Sequence, residues 1–221
     1  MKIQILTLFP NMFVGPFDES IIKRAKDKKL VNIEIKDLRS WGLTERKTVD
    51  DRPYGGGVGM VMMVEPIYNA LKDLKTKDTT VILLTPQGKV FNQSIAKDLS
   101  KQKDIILICG HYEGFDERIR SLVDEEISVG DFVLTGGELP AMLIADTIVR
   151  LIPGVLEKED AVKFESFSDN LLEYPQYTRP EDFKGMTVPK VLLSGNHKEI
   201  ENWRKEESLK KTKKNRSDLL K

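Results

Sequence analysis

Cysteine is almost absent from the sequence, and neither sign of charge is in excess. The 221 residues include one cysteine, Cys109, so no disulfide can form within the chain. This favours a cytosolic location, because small secreted proteins are commonly cross-linked. Lys and Arg together number 35, as do Asp and Glu, which gives a net charge of zero. A zero total does not exclude a nucleic-acid partner, since binding depends on how charge is distributed.

The sequence also lacks any apolar run approaching the roughly 20 residues of a membrane-spanning helix. Its first residues form a short apolar stretch followed by Pro10 and polar residues, without the cleavage site of a signal peptide. Hydrophobic residues nevertheless make up 40% of the chain, enough for a core. We therefore expect a soluble, cytoplasmic protein with no membrane partner.

Apolar runs alternate with segments of helical periodicity along the first 151 residues. Strands are predicted over residues 2–9, 31–35, 80–84, 105–109 and 126–134, with a break at Gly130 in the last. Helices are predicted over residues 18–26, 65–74, 92–99 and 138–151. This alternation indicates an α/β fold with a parallel sheet.

Glycine- or proline-rich loops follow three of these strands, at residues 85–88, 110–114 and 135–137. Parallel sheets bind ligands beyond the carboxyl ends of their strands, so we expect one cleft at that edge. Backbone groups of such loops can hold an adenine and a ribose without charged side chains. This favours a zwitterionic sulfonium cofactor over a triphosphate.

A long polar stretch, residues 37–59, ends in glycines, and such stretches in compact domains are usually functional. It is not a phosphate loop, because no Gly-Lys-Ser/Thr follows and no apolar strand precedes it. It is not a dinucleotide fingerprint either, since Met60 stands where a third glycine is needed.

The C-terminal part is predicted to contain a linker and a small helical unit. Residues 188–197 are predicted to be an extended piece with a turn, and residues 198–214 a charged helix. From Lys198 onward nine Lys or Arg residues stand against five acidic residues.

Longer strings of residues are much more specific than these patterns. In chain order they are TVDDRPYGGGVGM (48–60), CGHYEGFDER (109–118), SVGDFVLTGGELPA (128–141), PGVL (153–156), YTRP (177–180) and LLSGNH (192–197). Together they resemble the bacterial tRNA (guanine-N1)-methyltransferases of the TrmD type, in the SPOUT class. The resemblance covers essentially the whole chain, in the same order and with near-family spacing.

The resemblance implies an architecture and a reaction. The α/β domain, residues 1–156, would contain a deep C-terminal trefoil knot, which is an exception among protein folds. A flexible linker, residues 157–174, and a small helical tRNA-binding domain, residues 175–221, would follow. The protein would be a homodimer whose active sites are shared between subunits. It would transfer a methyl group from S-adenosylmethionine to N1 of guanine 37 in tRNA, where another guanine precedes it at position 36.

Cofactor contacts carried over from the resemblance fall on the three loops. They are Leu84, Pro86, Gly110, Tyr112, Glu113, Ser128, Val129, Gly130, Asp131, Phe132, Val133, Leu134, Gly136, Gly137 and Pro140. The resemblance also allows a Mg²⁺ ion near the cofactor. The two histidines are isolated in sequence, and no group of residues locates a metal site.

Two catalytic residues are implied by the same match. Guanine N1 is protonated and a poor nucleophile, so a base and a cation that stabilises charge on O6 are needed. Arg150 matches the family's catalytic arginine, although a surface arginine at a helix C-terminus would look similar. The family's Asp-Ser-Phe is here Glu165-Ser166-Phe167. Glu165 is the predicted base, and Asp169 remains the alternative.

Substrate contacts are expected from Asp50, Arg52 and Tyr54 in the polar stretch. Basic residues of that stretch and of residues 210–216 would hold phosphates, which supply salt-dependent affinity. The linker is expected to become ordered over the cofactor when tRNA binds.

Two rival functions are considered. An RNA-binding module without catalysis would be expected to have lost Arg150 and the loops at 110–113 and 128–134, which are intact. A nucleotide-phosphate enzyme is disfavoured by the missing Lys-Ser/Thr.

Overall fold

The computed structural model describes residues 1–157 and 164–220. They fall in two compact units, Met1–Glu157 and Lys158–Lys221. The first unit contains seven strands among its described residues. They are β1 (Lys2–Thr7), β2 (Asn32–Asp37), β3 (Asp50–Asp51), β4 (Val61–Met62), β5 (Thr79–Val90), β6 (Asp104–Cys109) and β7 (Glu125–Ser128).

Five of these strands form one sheet in the order β2-β1-β6-β5-β7, and each neighbouring pair is parallel. The strands β3 and β4 form a separate antiparallel pair. Four helices connect or follow the strands: α1 (Ser20–Asp27), α2 (Val64–Leu74), α3 (Gln93–Leu99) and α4 (Glu138–Val149). Short 3₁₀ helices lie at Pro10–Phe13, Leu38–Trp41 and Glu117–Leu122. The predicted parallel α/β sheet is therefore confirmed.

The core lies on both faces of the sheet, as expected for parallel strands covered by helices on both sides. The central strand β6 shows this most clearly, because all six of its residues are buried. Ile105 and Leu107 pack into the cluster that includes α1 and α4, whereas Ile106 and Ile108 pack into the cluster that includes α2. The continuous apolar run of β6 follows from this two-sided burial.

The strand predicted over residues 126–134 was too long at its carboxyl end. The strand β7 stops at Ser128, whose hydroxyl bonds both the backbone N–H and the carbonyl of Gly130. Gly130 has a φ of 148°, which turns the chain away from the sheet. Phe132 and Val133 are then 56% and 86% exposed. Their apolar character therefore reflects a surface rather than a buried strand.

The strand β5 continues beyond the predicted end at residue 84. Its pairing with β7 shifts register between Leu84 and Lys89, so residues 85–88 leave the ladder before the strand resumes. The predicted proline- and glycine-containing loop at this position is thus an excursion within β5.

The second unit begins its regular structure with a short antiparallel pair, β8 (Asp182–Phe183) and β9 (Met186–Thr187). Two helices follow, α5 (Lys190–Leu193) and α6 (His197–Asn215), and a 3₁₀ turn spans Ser217–Leu220. The prediction of an extended stretch over residues 188–197 was wrong, because it contains α5. The long charged helix is present, and the Asn196 side chain caps it by accepting from the Glu199 amide. None of the described helices is both long and apolar enough to cross a membrane.

A buried hydrogen bond links the end of β1 to the start of α4. The Thr7 hydroxyl donates to Glu138 Oε1 at 2.7 Å and accepts from the Phe9 amide at 2.9 Å. Glu138 is only 2% exposed, and it lies in the first turn of α4, where the helix dipole favours a negative charge. Because a buried carboxylate without partners is costly, this bond stabilises the junction of sheet and helix.

Replacing Thr7 with valine is expected to lower the free energy of unfolding by about 1–3 kcal/mol, since the Phe9 amide and the Glu138 carboxylate both lose a partner. Urea unfolding followed by circular dichroism measures this change. Thr80→Val is the matched control, because that hydroxyl is exposed and donates to Gln102 at a long 3.5 Å. An equal loss of unfolding free energy in the two variants would show that the buried hydrogen bond contributes no more to stability than the exposed one.

Candidate active site

One cleft lies at the carboxyl ends of β6 and β7 and beside the excursion within β5, where the three predicted loops meet. The cleft is open to solvent on one side, and its empty volume including that open side is about 720 Å³. Of the residues predicted to contact the cofactor, all except Asp131 line this cleft. Asp131 is exposed on the same loop as its neighbours but does not contribute to the lining.

Two of the loops touch through their backbones at Gly110 and Gly137. The Gly137 N–H donates to the Gly110 carbonyl at 2.8 Å. A Cβ on Gly137 would lie 2.6 Å from the Cα of Cys109 and 2.7 Å from the Gly110 nitrogen, closer than real Cβ atoms come. A Cβ on Gly110 would lie 2.7 Å from the Phe115 ring. Glycine is required at position 137, because any side chain there would push the two loops apart.

The polar stretch that follows β2 packs against the loop after β6, which lines the cleft. The Glu113 amide donates to the Met60 carbonyl at 3.0 Å, and the Met62 amide donates to the Gly114 carbonyl at 2.9 Å. A Cβ on Gly59 would lie 2.6 Å from the Glu113 side chain. The glycines at the end of this stretch therefore let it pack against the loop after β6.

Asp50 does not line the cleft itself, but it interacts with Tyr112, which does. Burial, the negative charge of Asp50 and its hydrogen bond to the phenol raise the pKa of Tyr112, and Arg39 opposes them. Asp50 is thus placed beside a residue of the cleft lining. The other two predicted substrate residues, Arg52 and Tyr54, are exposed and do not line the cleft.

Sequence reasoning missed several residues of the lining. They are Thr85, His111, Gly114, Phe115, Ile127 and Thr135. The His111 ring packs 4.7 Å from the Phe9 ring, and its Nδ1 is buried with no hydrogen-bond partner among the described residues. Only its position inside the string at 109–118 marked His111, because an isolated histidine gives no pattern of its own.

Cys109 lies immediately before the cleft and is not a nucleophile. Burial raises the pKa of its thiol well above the usual value, and the charge of Glu138 raises it further. The thiol is therefore protonated at neutral pH, as the apolar run around it indicated.

The two predicted catalytic residues lie in different units. Arg150 directly follows α4 in the first unit and is partly buried. Glu165 belongs to the second unit, where it and Asp169 line a cavity next to α6. The linker prediction also covers residues 158–163, which lie outside the described residues.

Within residues 1–157 and 164–220, no group of three or more His, Cys, Asp or Glu residues gathers as a metal site. The cleft lining combines glycine backbone, apolar side chains and polar side chains that include Tyr112, Glu113 and Ser128.

The chain is similar to known proteins over its full length. The family model described as tRNA (Guanine-1)-methyltransferase TrmD matches residues 1–221. A tRNA (guanine-N(1)-)-methyltransferase of Dictyoglomus turgidum is 58% identical, covering 100% of this chain and 90% of that protein. Proteins of the same name from Staphylococcus carnosus and Clostridioides difficile are 58% and 56% identical, with 100% of this chain and 91% and 98% of theirs covered. The chain belongs to the tRNA (guanine-1)-methyltransferase family of the TrmD type.

Proposed function

We propose that this protein transfers a methyl group from S-adenosylmethionine to N1 of guanine 37 in a tRNA that has guanine at position 36. The observation that supports this most strongly is the cleft. Three loops from successive sheet strands meet in a backbone-lined pocket, in a chain of this family.

The cleft has the chemistry that S-adenosylmethionine requires. The loops after β6 and β7 approach closely at Gly110 and Gly137, so their backbone groups lie around one side of the proposed cofactor site. The segment after β7, residues 129–134, offers backbone amides and carbonyls to an adenine and a ribose. Glu113 supplies a carboxylate for the cationic part of the molecule. When bound, this cofactor supplies an electrophilic methyl group.

The reaction needs N1 of guanine to lose its proton. Glu165 accepts this proton, and Asp169 is the alternative, since both belong to the same cavity of the second unit. Arg150 stabilises the negative charge that collects on O6, because its planar guanidinium stays charged and offers paired donors. The cleft holds the reacting atoms in line and in contact.

Asp50, Arg52 and Tyr54 bind the target nucleotide, which leaves its stack to reach the cleft. Asp50 is beside Tyr112 on the cleft wall, and the exposure of Arg52 and Tyr54 leaves both available to RNA. Basic residues near position 46 and at 210–216 contact phosphates. Since tRNA is the substrate, the enzyme acts in the cytoplasm. A Mg²⁺ ion would have to bind with the cofactor or RNA.

The assembly is a homodimer with a shared active site, residues 1–156 forming a SPOUT domain with a trefoil knot. Residues 157–174 then act as a linker and residues 175–221 as the tRNA-binding domain. The knot is supported by the hydrogen bond from the Gly137 amide to the Gly110 carbonyl, which brings the chain back to the loop after β6 just before α4 begins. Support for the dimer comes from Leu139 and Leu143, which expose apolar side chains one turn apart on α4.

Gly137→Ala is expected to weaken S-adenosylmethionine binding at least about tenfold, since the new methyl group must separate the two loops by displacing backbone. Isothermal titration calorimetry measures the dissociation constant. Gly195→Ala is the matched control, because nothing lies within 4 Å of its Cβ despite a φ of 71°. Wild-type affinity in Gly137→Ala would contradict the proposed cofactor cradle.

Glu165→Gln is expected to slow single-turnover methyl transfer by roughly 10²–10⁴-fold, the usual contribution of a general base. Asp169→Asn is its control, and labelled cofactor with a tRNA bearing guanines at positions 36 and 37 is the assay. Loss in Asp169→Asn alone would transfer the role to that residue. No transfer by the wild-type protein, with cofactor still bound, would refute the proposed substrate.

A shared active site predicts complementation between two inactive variants. Mixing Arg150→Ala with Glu165→Gln should restore activity, because each mixed dimer then contains one site with an intact arginine and an intact carboxylate. Methyl transfer is measured after subunit exchange in the mixture. Activity that stays at the sum of the separate variants would place both residues in one subunit.

A further inference from the structure

The segment that contains Glu165 belongs to the proposed linker, but its residues from 164 onward form a compact turn within the second unit. We call residues 164–174 the base segment. Within it the Phe167 amide donates to the Leu171 carbonyl at 2.7 Å, and the Glu173 amide donates to the Ser166 hydroxyl at 3.0 Å. Phe167 and Asn170 have φ values of 73° and 56°, which non-glycine residues seldom adopt. The base segment therefore has a defined fold of its own.

Thr212 on α6 joins the base segment to the helix. The Leu172 amide donates to Thr212 Oγ1 at 2.8 Å, while the Thr212 hydroxyl donates to the Ser208 carbonyl at 2.7 Å. Because the single hydroxyl proton is directed to the helix, the oxygen faces the incoming amide as an acceptor. Thr212 is 0% exposed, although most of its neighbours on α6 are charged and exposed.

The remaining contacts lie along the same stripe of the helix. Arg204 stacks over the Tyr174 ring at 4.8 Å, and Arg216, at the end of α6, over the Phe167 ring at 5.7 Å. Arg204, Ser208, Thr212 and Arg216 follow each other at intervals of four residues, which places them on one face of a helix. The base segment thus runs along α6 in the opposite direction.

This arrangement also defines where the carboxylate lies. Glu165 and Asp169 line a cavity whose other side is formed by α6, including Ser208 and Lys205. The contact between Leu172 and Thr212 therefore joins the turn that carries Glu165 to the helix that forms the other side of this cavity.

We propose that Thr212 is a positioning residue for the catalytic base, holding the base segment on α6 so that the C-terminal unit presents Glu165 as a preformed turn. The proposal rests on the proposed function, in which Glu165 is the base. Thr212 itself touches neither cofactor nor guanine in this role and acts through the Leu172 amide.

The test compares Thr212→Val, which removes the acceptor, with Thr212→Ser, which keeps it. In Thr212→Val, hydrogen exchange of the Leu172 amide should rise, and single-turnover methyl transfer should fall, each by about five- to tenfold. Cofactor affinity should stay at the wild-type value, and Thr212→Ser should restore both properties. Ser194→Ala is the control, because its hydroxyl also accepts an amide, that of Asn196, but outside the base segment.

A double variant separates positioning from a general loss of structure. If Thr212 acts through Glu165, Thr212→Val should slow the Glu165→Gln enzyme little or not at all, since the base is already gone. An equal slowing in both backgrounds, or faster exchange with an unchanged rate, would overturn the proposal. If Glu165→Gln alone retains the wild-type rate, the base assignment fails, and with it the catalytic role of Thr212, while exchange still reports the contact.

Discussion

The backbone contact between Gly110 and Gly137 is the constraint on which the cleft depends. It brings the loop after β6 against the loop after β7. A Cβ added to Gly137 would lie only 2.6 Å from the Cα of Cys109. The excursion within β5, at Thr85 and Pro86, completes the cleft beside this contact. The polar stretch before β4 packs against the loop after β6. Five glycines line the cleft, so the backbone is directly exposed to a ligand at those positions.

The buried bond between Thr7 and Glu138 supports this contact from behind the cleft. It fixes the first turn of α4, which begins directly after Gly137, to the end of β1. The two residues are 131 positions apart in the chain, so the bond closes a very long loop. Burial raises the pKa of the Cys109 thiol, and the charge of Glu138 raises it further.

The second unit differs from the first in the contacts that hold its elements together. The first unit relies on an apolar core on both faces of a sheet. The helix α6 buries only small polar residues, Ser208 and Thr212, and attaches the base segment through one amide and two stacked arginines. Few buried apolar contacts and several polar ones are typical of segments that can open locally. In the proposed function, a base on such a segment can adjust its position when tRNA binds.

The sequence by itself determined the family, the parallel sheet and most of the cleft lining. Glycines such as Gly137 are restricted by close backbone approach, and buried strands such as β6 require continuous apolar residues, so both features are visible in the residues themselves. Only the tertiary structure decided the end of β7, the position of Asp131 outside the cleft and the attachment of the base segment to Thr212. Exposed Phe132 and Val133 have the same apolar character as strand residues, and a local pattern does not distinguish a surface from a core. The hydrogen bonds of Thr7 and Thr212 join residues distant in the chain, and they exist only once the elements have packed.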